Sequence, residues 1–290
     1  MRIAILGATG FVGKNLTRKL VSLGHEITGY VINPPLGQSP GISYESISSF
    51  TNHEFLSGSN FDVVINLAAR RSTRVNPLTD SEVRKFTFEI PRQFFLNTAG
   101  PDTLVINTST YIQNFEGVEG QTVDSYGSAK QELSEFLRDT SASLGFNTFD
   151  LFFFTLFGEG DRSSHLVPLL LNAAYESEEI SLSPGFQLMN LVHIDDAIQN
   201  ISMCLTLNRD FSYRKHHVWD ENYFSVRELV STIESVSGVS MDCAWGAREY
   251  VGHEMMKIWN LPTTKLPEFE AKVSLEEGIQ RLWLSLSMGR

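Results

Sequence analysis

Two side chains with complementary acid–base chemistry stand four residues apart in the segment DSYGSAKQELSEFL. The segment has the pattern of a helix, and residues four apart share one face of a helix, which predicts that Tyr126 and Lys130 are neighbours. The phenol of a tyrosine has a pKa of about 10, and a nearby ammonium group is expected to lower that pKa and make the proton easier to exchange. The pair therefore predicts a proton donor for the alkoxide that forms when hydride reaches a ketone, or a base for the reverse oxidation.

A hydroxyl group is expected from the strand that precedes this helix. The run DTLVINTST is predicted to be a strand, and its C-terminal end carries Asn107, Ser109 and Thr110. Ligands of open α/β sheets bind at the carboxyl ends of the strands, so these polar groups are well placed. Either Ser109 or Thr110 could hydrogen-bond the same carbonyl oxygen that Tyr126 protonates.

The N-terminal stretch predicts the element that would hold a nucleotide. RIAIL has the continuous apolar pattern of a strand buried on both faces of a parallel sheet; GATGFVG, a helix and a second strand, HEITGYVI, follow it. In such a βαβ unit Gly7 allows the sharp turn, Gly10 lets backbone N–H groups approach a pyrophosphate, and Gly13 lets the helix pack against the sheet. The positive end of the helix would face the phosphates. The pattern favours nucleotide binding over a turn without a ligand.

The rest of the chain continues the alternation of strands and helices. FDVVINLAAR and FNTFDLFFFTLFGEGD are predicted strands, and VDSYGSAKQELSEFLRDTSASLG is predicted to be one long helix that ends at Gly145. Pro91 predicts a kink in the helical stretch before DTLVINTST. We therefore predict an α/β fold with a Rossmann-type, doubly wound parallel sheet. Its dinucleotide-binding domain would span 1–160, and 161–290 would mainly form a smaller C-terminal substrate-binding lobe, with excursions back to the first domain.

Composition and short motifs exclude several classes of function. The net charge of −11 argues against binding to nucleic acid or to an anionic membrane, since both need a basic surface. Cys204 and Cys243 are isolated, which predicts free thiols and a reducing, cytoplasmic location. We expect neither a signal peptide nor a membrane span. The histidines at 216–217 lack metal-ligand spacing, so no metal site is expected, and the aspartates at 195–196 are interpreted as capping a helix N-terminus.

The motifs and their order along the chain resemble those of the extended short-chain dehydrogenase/reductase family, the NAD-dependent epimerase/dehydratase group. The matching segments are GATGFVG, NLAA, STY with YGSAK, and MNLVHIDDAI, and the resemblance covers most of the chain. It implies a catalytic triad of a hydroxyl residue, Tyr126 and Lys130, with Thr110 as the hydroxyl and Ser109 as the second choice, and it implies a homodimer. The residues it assigns to the dinucleotide are Gly7, Thr9, Gly10, Phe11, Val12, Gly13, Asn33, Leu67, Ala68, Ala69 and Lys130.

The end of the second strand bears on which dinucleotide binds. Proteins of this fold that use NAD usually place an acid there to hold the 2′-hydroxyl of the ribose. This chain has GYVINPP, with Asn33 and with neither Asp nor Glu. No Arg or Lys stands there to meet a 2′-phosphate. The missing acid favours NADP(H) over NAD(H).

Two departures from the family's pattern concern the phosphates of a substrate. Thr155 stands where relatives commonly have an Asn that contacts a diphosphate, and Met189 stands where an Arg is common. Arg162, or the pair Arg70 and Arg71, could hold the phosphates instead. Alternatively, these arginines could belong to a solvated surface.

Residues after the triad hydroxyl separate the reactions of this family. The 4,6-dehydratases usually carry Asp-Glu there for the elimination, whereas this chain has Tyr111 and Ile112. The resemblance leaves a 4-epimerase of a nucleotide sugar with tightly bound NAD, or a 4-ketoreductase. INTST followed closely by DSYGSAKQELSEFL is most similar to enzymes that reduce CDP-4-keto-3,6-dideoxyhexoses with NADPH. We therefore expect NADPH-dependent reduction of the 4-keto group of a CDP- or dTDP-linked deoxyhexose, in deoxysugar biosynthesis for a bacterial surface polysaccharide such as lipopolysaccharide.

A regulator that senses dinucleotide without catalysis is the third alternative. Such proteins of this fold often lose the tyrosine or the lysine of the triad. This chain keeps both Tyr126 and Lys130, which favours an enzyme.

Overall fold

The computed structural model describes residues 1–35, 40–48, 61–73, 76–161, 165–219, 221–252, 254–259 and 265–288. Within these ranges the strands are β1 (Arg2–Leu6), β2 (Glu26–Val31), β3 (Ile42–Ser46), β4 (Val63–Asn66), β5 (Leu104–Thr110), β6 (Asn147–Phe153), β7 (Thr155–Phe157), β8 (Ile180–Leu182), β9 (Leu188–Met189), β10 (Leu191–His193), β11 (Tyr213–Val218), β12 (Phe224–Ser225) and β13 (Cys243–Trp245). The α-helices are α1 (Phe11–Ser22), α2 (Asp80–Arg84), α3 (Ile90–Thr98), α4 (Ser125–Leu144), α5 (Leu166–Glu176), α6 (Ile194–Met203), α7 (Val226–Ser237) and α8 (Leu275–Met288). A π-helical segment (Lys85–Glu89) joins α2 to α3, and a 3-10 segment (Tyr111–Gly117) follows β5.

Seven parallel strands form the central sheet, in the order β11-β6-β5-β4-β1-β2-β3. The order runs outward in both directions from the neighbours β1 and β4, which confirms the predicted doubly wound sheet. In such a sheet the crevice for a ligand opens at the carboxyl ends of the strands where the order reverses. The ends of β1 and β4, and of β5 next to them, are therefore the expected position of a site.

Apolar strands explain why this sheet lies at the centre of the molecule. The side chains of RIAIL from Ile3 to Leu6 are almost fully buried, and so is VVIN in β4. One face of the sheet packs on α1 and α6, and the other packs on α3 and α4. Strands buried on both faces need a continuous apolar run, which is the pattern that predicted them.

A second, smaller core forms the C-terminal lobe. It is built from α5, α7 and α8 around residues such as Leu170, Leu229 and Ile279. Short strand pairs accompany it: β8 with β13, β9 with β12, and β7 with β10. The chain also returns to the main sheet, because β11 pairs with β6. The domain boundary at residues 160 and 161 stays a prediction.

The helical stretch around Pro91 departs from a simple kink. The π-helical segment Lys85–Glu89 lies immediately before α3, and Pro91 occupies the first turn of that helix. Proline has no N–H to donate to the carbonyl four residues earlier and clashes with it, so the turn before it widens. The hydroxyl of Thr87 in this segment donates to the carbonyl of Arg70 and accepts from its N–H, at 3.2 and 3.3 Å. The widened turn thus anchors the loop that follows β4.

None of the helices in the described ranges has the length and apolar character that a bilayer crossing requires. Cys204 is buried at the end of α6 and Cys243 is half-buried in β13, and both are free thiols. Burial raises the pKa of both thiols.

Candidate active site and dinucleotide cradle

The three glycines after β1 form a tight turn whose shape excludes side chains. Gly7 has a φ of +86°, in the left-handed region that favours glycine, and its N–H donates to the carbonyl of Tyr30 at 2.9 Å. A Cβ atom on Gly13 would lie 2.2 Å from the carbonyl oxygen of Gly7. The N–H of Gly10 donates to that same oxygen at 3.0 Å. Gly7 and Gly13 are therefore required by the fold of the turn itself.

This turn fits the phosphates of a dinucleotide. Gly10 is the N-cap of α1 and supplies no side chain to cap it, so the N–H groups of the first helical turn have no intrahelical acceptor and can meet an anion. Thr9 is exposed beside the turn, and Phe11 and Val12 lie in the first turn of α1. A Cβ atom on Gly7 would come within 3.0 Å of the N atom of Ala68. The structure thus brings the glycine turn and the segment after β4 together.

The remaining predicted dinucleotide contacts lie at the same edge of the sheet. Leu67 and Ala68 are half-buried and Ala69 is exposed, directly after β4. The side chain of Asn66 fixes this segment, since its Oδ1 accepts from the N–H of Ala68 at 3.0 Å. Asn33 is exposed two residues beyond the end of β2. Residues 30–35 contain neither Asp nor Glu.

Helix α4 positions Tyr126 and Lys130. Asp124 is its N-cap, and Oδ1 of Asp124 accepts from the N–H of Gly127 at 2.7 Å. The helix ends at Gly145, whose φ of +76° is left-handed, as predicted. Tyr126 lies in the first turn, and Lys130, one turn later, is 1% exposed and donates to the carbonyl of Thr108 near the end of β5. The helix therefore places Lys130 against the carboxyl end of β5, with Tyr126 one turn before it.

The charges around the pair differ from the sequence prediction in one respect. Burial raises the pKa of Tyr126 to about 12, and the positive charge of Arg71 opposes that rise. The prediction that the lysine lowers the pKa of Tyr126 is wrong for this structure, because loss of solvent is the larger effect. Burial also lowers the pKa of Lys130 to about 8, and Asp150 opposes that fall. Tyr126 is consequently protonated at neutral pH, which is the form that donates a proton.

The two hydroxyl candidates at the end of β5 have different surroundings. Ser109 donates to Oδ1 of Asp150 at 2.6 Å and lies 3.0 Å from the hydroxyl of Ser134, so it belongs to an internal network. Thr110 caps the 3-10 segment, and its hydroxyl oxygen accepts a long bond of 3.5 Å from the N–H of Ile112. An accepting role leaves the proton of the Thr110 hydroxyl able to donate to a ligand. The geometry favours Thr110 over Ser109 for that purpose.

The arginines considered for phosphates fall in different places. Arg71 forms an ion pair of 3.0 Å with Asp124, and its Cζ atom lies 5.7 Å from the ring centre of Tyr126. Arg70 lies over the ring of Phe86, 4.8 Å from its centre. Arg162 lies outside the described residues. Arg71 is therefore the arginine that the structure places beside Tyr126.

The two departures from the family's pattern have different surroundings, an aromatic cluster for Thr155 and the core of the C-terminal lobe for Met189. Thr155 in β7 hydrogen-bonds the side chain of Tyr111. The ring of Tyr111 stacks on Phe154, with ring centres 4.6 Å apart, and it also contacts Trp259 at 5.6 Å. Met189 lies in β9, paired with Phe224 of β12. Stacked rings stand beside the end of β5, which makes this part of the surroundings apolar.

The aspartates at 195–196 lie at a helix N-terminus, as predicted, but neither caps it. The N-cap of α6 is His193, whose Nδ1 accepts from the N–H of Asp195 at 3.2 Å. Asp196 is buried and accepts from the N–H groups of Lys272 and Val273 at 3.0 and 3.1 Å. The carboxylate of Asp196 therefore ties the chain before α8 to α6, a long-range contact that the local pattern does not encode.

Sequence reasoning missed a buried polar network under the predicted triad. Asn66 donates to Asn107 at 2.9 Å, Asn107 donates to Asp150 at 2.8 Å, and Tyr213 donates to Asp150 at 2.7 Å. The signal available was the single carboxylate in FNTFDLFFF, an otherwise apolar strand.

Within the described ranges, no group of three or more His, Cys, Asp or Glu side chains could hold one metal ion.

Comparisons with known proteins show the family and the fold of this chain. The NAD dependent epimerase/dehydratase family matches residues 3–215. CDP-abequose synthase from Yersinia pseudotuberculosis is 28% identical, over 96% of this chain and 98% of that protein. The solved structure of UDP-glucuronic acid 4-epimerase from Bacillus cereus, in complex with UDP-glucuronic acid and NAD, is similar with a TM-score of 0.83 at 18% identity, over 100% of both chains. UDP-glucose 4-epimerase from Thermotoga maritima, with UDP-glucose, gives a TM-score of 0.81 at 17% identity, over 99% of this chain and 100% of that one. The two solved structures establish a shared fold.

Proposed function

The chain is an enzyme that belongs to the NAD dependent epimerase/dehydratase family, and we propose that it uses NADPH to reduce the 4-keto group of a nucleotide-activated deoxyhexose. The substrate is CDP- or dTDP-linked. The observation that carries the proposal is the position of Tyr126 and Lys130 one helical turn apart on α4, where Lys130 contacts the end of β5.

Each residue of the site has a stated task in this reaction. The bound dinucleotide supplies the hydride. Tyr126, protonated at neutral pH, donates the proton that the product hydroxyl needs. Thr110 donates a hydrogen bond to the keto oxygen and so stabilises negative charge on it. Lys130 holds the ribose hydroxyls of the dinucleotide, and the turn at 7–13 holds its phosphates.

Three observations support reduction over the other reactions of the family. Tyr111 and Ile112 stand where dehydratases carry acids. The relative CDP-abequose synthase covers nearly the whole chain. The half-buried ring of Tyr111 stacks on the buried ring of Phe154 beside the end of β5, and such apolar surroundings suit a sugar that has lost hydroxyl groups. Asn33 is exposed after β2, where proteins that use NAD usually have an acid that holds the 2′-hydroxyl of the ribose. The absence of that acid from this position supports NADPH over NADH.

A 4-epimerase is the second candidate. The observation that favours it is the similarity in fold to solved 4-epimerases, of which the one from Bacillus cereus holds NAD. An epimerase keeps its NAD and reoxidises it within each turnover, so its cofactor does not exchange.

The retained Tyr126 and Lys130 argue against a regulator without catalysis. A homodimer and a cytoplasmic location belong to the same proposal, and light scattering of the purified protein tests the former.

Binding of the cofactor separates the two candidates. The purified enzyme is titrated with NADPH and NADH by fluorescence, alone and with CDP or dTDP present. The reductase is expected to bind added NADPH more tightly than NADH, and one nucleotide diphosphate strengthens that binding. A preference for NADH, or NAD that copurifies and does not exchange, would replace the reductase by the epimerase.

A further inference from the structure

Asp150 is a buried carboxylate in the middle of β6, between aromatic and aliphatic neighbours along the strand. Its side chain is fully buried. Oδ1 accepts from the hydroxyl of Ser109 at 2.6 Å and from the amide of Asn107 at 2.8 Å, and Oδ2 accepts from the hydroxyl of Tyr213 at 2.7 Å. Removing a carboxylate from water is unfavourable unless hydrogen bonds replace the lost solvent. Three short hydrogen bonds are the arrangement that keeps such a group charged.

The buried ammonium group of Lys130 and this carboxylate contact adjacent residues of β5. Lys130 donates to the carbonyl of Thr108, and the next residue, Ser109, donates to Asp150. Asn107 is the register partner of Asp150 across β5 and β6. Asp150 is also the group whose charge counteracts the effect of burial on the pKa of Lys130. A buried ammonium and a buried carboxylate therefore share one region below the predicted triad.

We propose that Asp150 is a positioning residue that acts through Lys130. Its negative charge keeps the buried lysine in the ammonium form, which is the form that holds the ribose hydroxyls in the proposed function. The inference rests on the role of Lys130 in the proposed function, and it adds a residue that no motif of the sequence indicates.

Other ionisable groups face the pair from the elements packed around it. On α4, Tyr126 lies one helical turn before Lys130, and the charges of Arg71 and Asp124 act on Tyr126. From β11, Tyr213 faces Asp150, and burial, followed by the charge of Asp150, raises the pKa of that phenol. Tyr213 thus stays neutral and donates its proton to the carboxylate. Asp150 is the fully buried carboxylate among these groups, so it is the least screened by solvent.

The test is the protonation of Lys130 in two variants that separate charge from hydrogen bonding. Asp150→Asn removes the charge but keeps the shape: its Oδ1 still accepts from Ser109 and Asn107, and its amide donates to the oxygen of Tyr213. The matched control, Tyr213→Phe, removes one hydrogen bond and leaves the charge. Each protein is labelled with ¹³Cε-lysine, and the NMR signal of Lys130 is assigned as the one that Lys130→Met loses.

The titration midpoint of the Lys130 signal is expected to fall by about one pH unit or more in Asp150→Asn and to stay with the wild type in Tyr213→Phe. Equal midpoints in Asp150→Asn and the wild type would overturn the proposal, and so would an equal fall in both variants. If Asp150→Asn does not fold, Asp150→Ser removes the same charge with a smaller side chain. The titration needs no sugar, so it tests the role of Asp150 even if the enzyme does not catalyse the proposed reaction. Conversely, a result against the role of Asp150 would not decide whether the enzyme reduces the sugar.

Discussion

The guanidinium of Arg71 lies over the ring of Tyr126, with its Cζ atom 5.7 Å from the ring centre. The same guanidinium pairs with Asp124, which caps the helix that carries Tyr126. Arg71 therefore fixes the start of α4 and places a positive charge beside the proposed proton donor. That charge opposes the rise that burial causes in the pKa of Tyr126.

We predict that Arg71→Met lowers kcat/KM for ketone reduction about fivefold, because a cation over an aromatic ring at a partly exposed position contributes about 1 kcal/mol. The loss arises because a phenol with a higher pKa is a weaker proton donor. Arg214→Met is the control, since Arg214 lies 4.4 Å from the ring centre of Phe211 on an edge strand. Steady-state kinetics check the prediction, and equal losses in both variants would contradict it.

Gly13→Ala is expected to weaken dinucleotide binding about tenfold or more. The new Cβ atom would lie 2.2 Å from the carbonyl oxygen of Gly7 and must displace the turn that meets the phosphates. Such overpacking also costs about 1–3 kcal/mol of stability. Gly100→Ala is the matched control, because a Cβ atom there meets nothing within 4 Å. Isothermal titration with NADPH measures the effect, and unchanged affinity in Gly13→Ala would rule out the turn as the phosphate site.

Two adjacent aspartates should differ in their effect on stability. Asp196→Ala leaves the N–H groups of Lys272 and Val273 without their carboxylate and is expected to lower the free energy of unfolding by on the order of 3 kcal/mol. Asp195→Ala removes an exposed ion pair of 2.9 Å with Arg281 and should cost about 1 kcal/mol or less. Urea denaturation of both variants checks the difference. A comparable loss in the two would mean that the contact of Asp196 with the chain before α8 is not a structural tie.

His217 predicts a loss of stability in acid. Its side chain is fully buried, and the centre of its ring lies 5.0 Å from that of Phe152 and 6.2 Å from that of Phe154. Burial lowers the pKa of His217 from 6.5 to about 3. Between these two values the unfolded chain binds a proton that the folded chain does not, so stability is full above pH 6.5 and falls as the pH decreases towards 3. The expected loss between pH 7 and pH 5 is about 2 kcal/mol from this residue.

His217→Phe should remove that part of the pH dependence, since neither ring nitrogen of His217 has a hydrogen-bond partner in the described structure. His165→Gln, at a position whose side chain is 63% exposed, serves as the control. Denaturation at pH 7 and pH 5 measures the slopes. If His217→Phe and the wild type lose the same stability between the two pH values, the ring is not buried in its neutral form.

Local patterns predicted the parts of the fold that depend on local forces. Burial on both faces restricts the residues of the strand RIAIL to apolar types, and a positive φ restricts a position in the turn at 7–13 to glycine. The helix that ends at Gly145 could be predicted because glycine commonly terminates helices. Strand β11 could not, because YRKHHV carries charged and imidazole groups. The sheet edge tolerates them, because Arg214 lies over the half-buried ring of Phe211 and the ring of His217 lies near those of Phe152 and Phe154.

The candidate site was predictable to a similar extent. Tyr126 and Lys130 follow from helical spacing, but their burial does not, and burial reverses the expected shift in the pKa of Tyr126. Asp150 contacts Tyr213, which is far away in sequence. His193 caps α6 with a ring nitrogen, which is an unusual capping group. The spacing of residues along one element carries no information about such contacts.

The most direct measurement of the central claim is the oxidation of NADPH by the enzyme with CDP- and dTDP-linked 4-keto-deoxyhexoses, compared with Tyr126→Phe. The wild type is expected to oxidise NADPH with one of these sugars, and Tyr126→Phe to be slower by about a hundredfold or more while it still binds NADPH. No oxidation of NADPH by the wild type with any of these sugars, or an undiminished rate in Tyr126→Phe, would contradict the account.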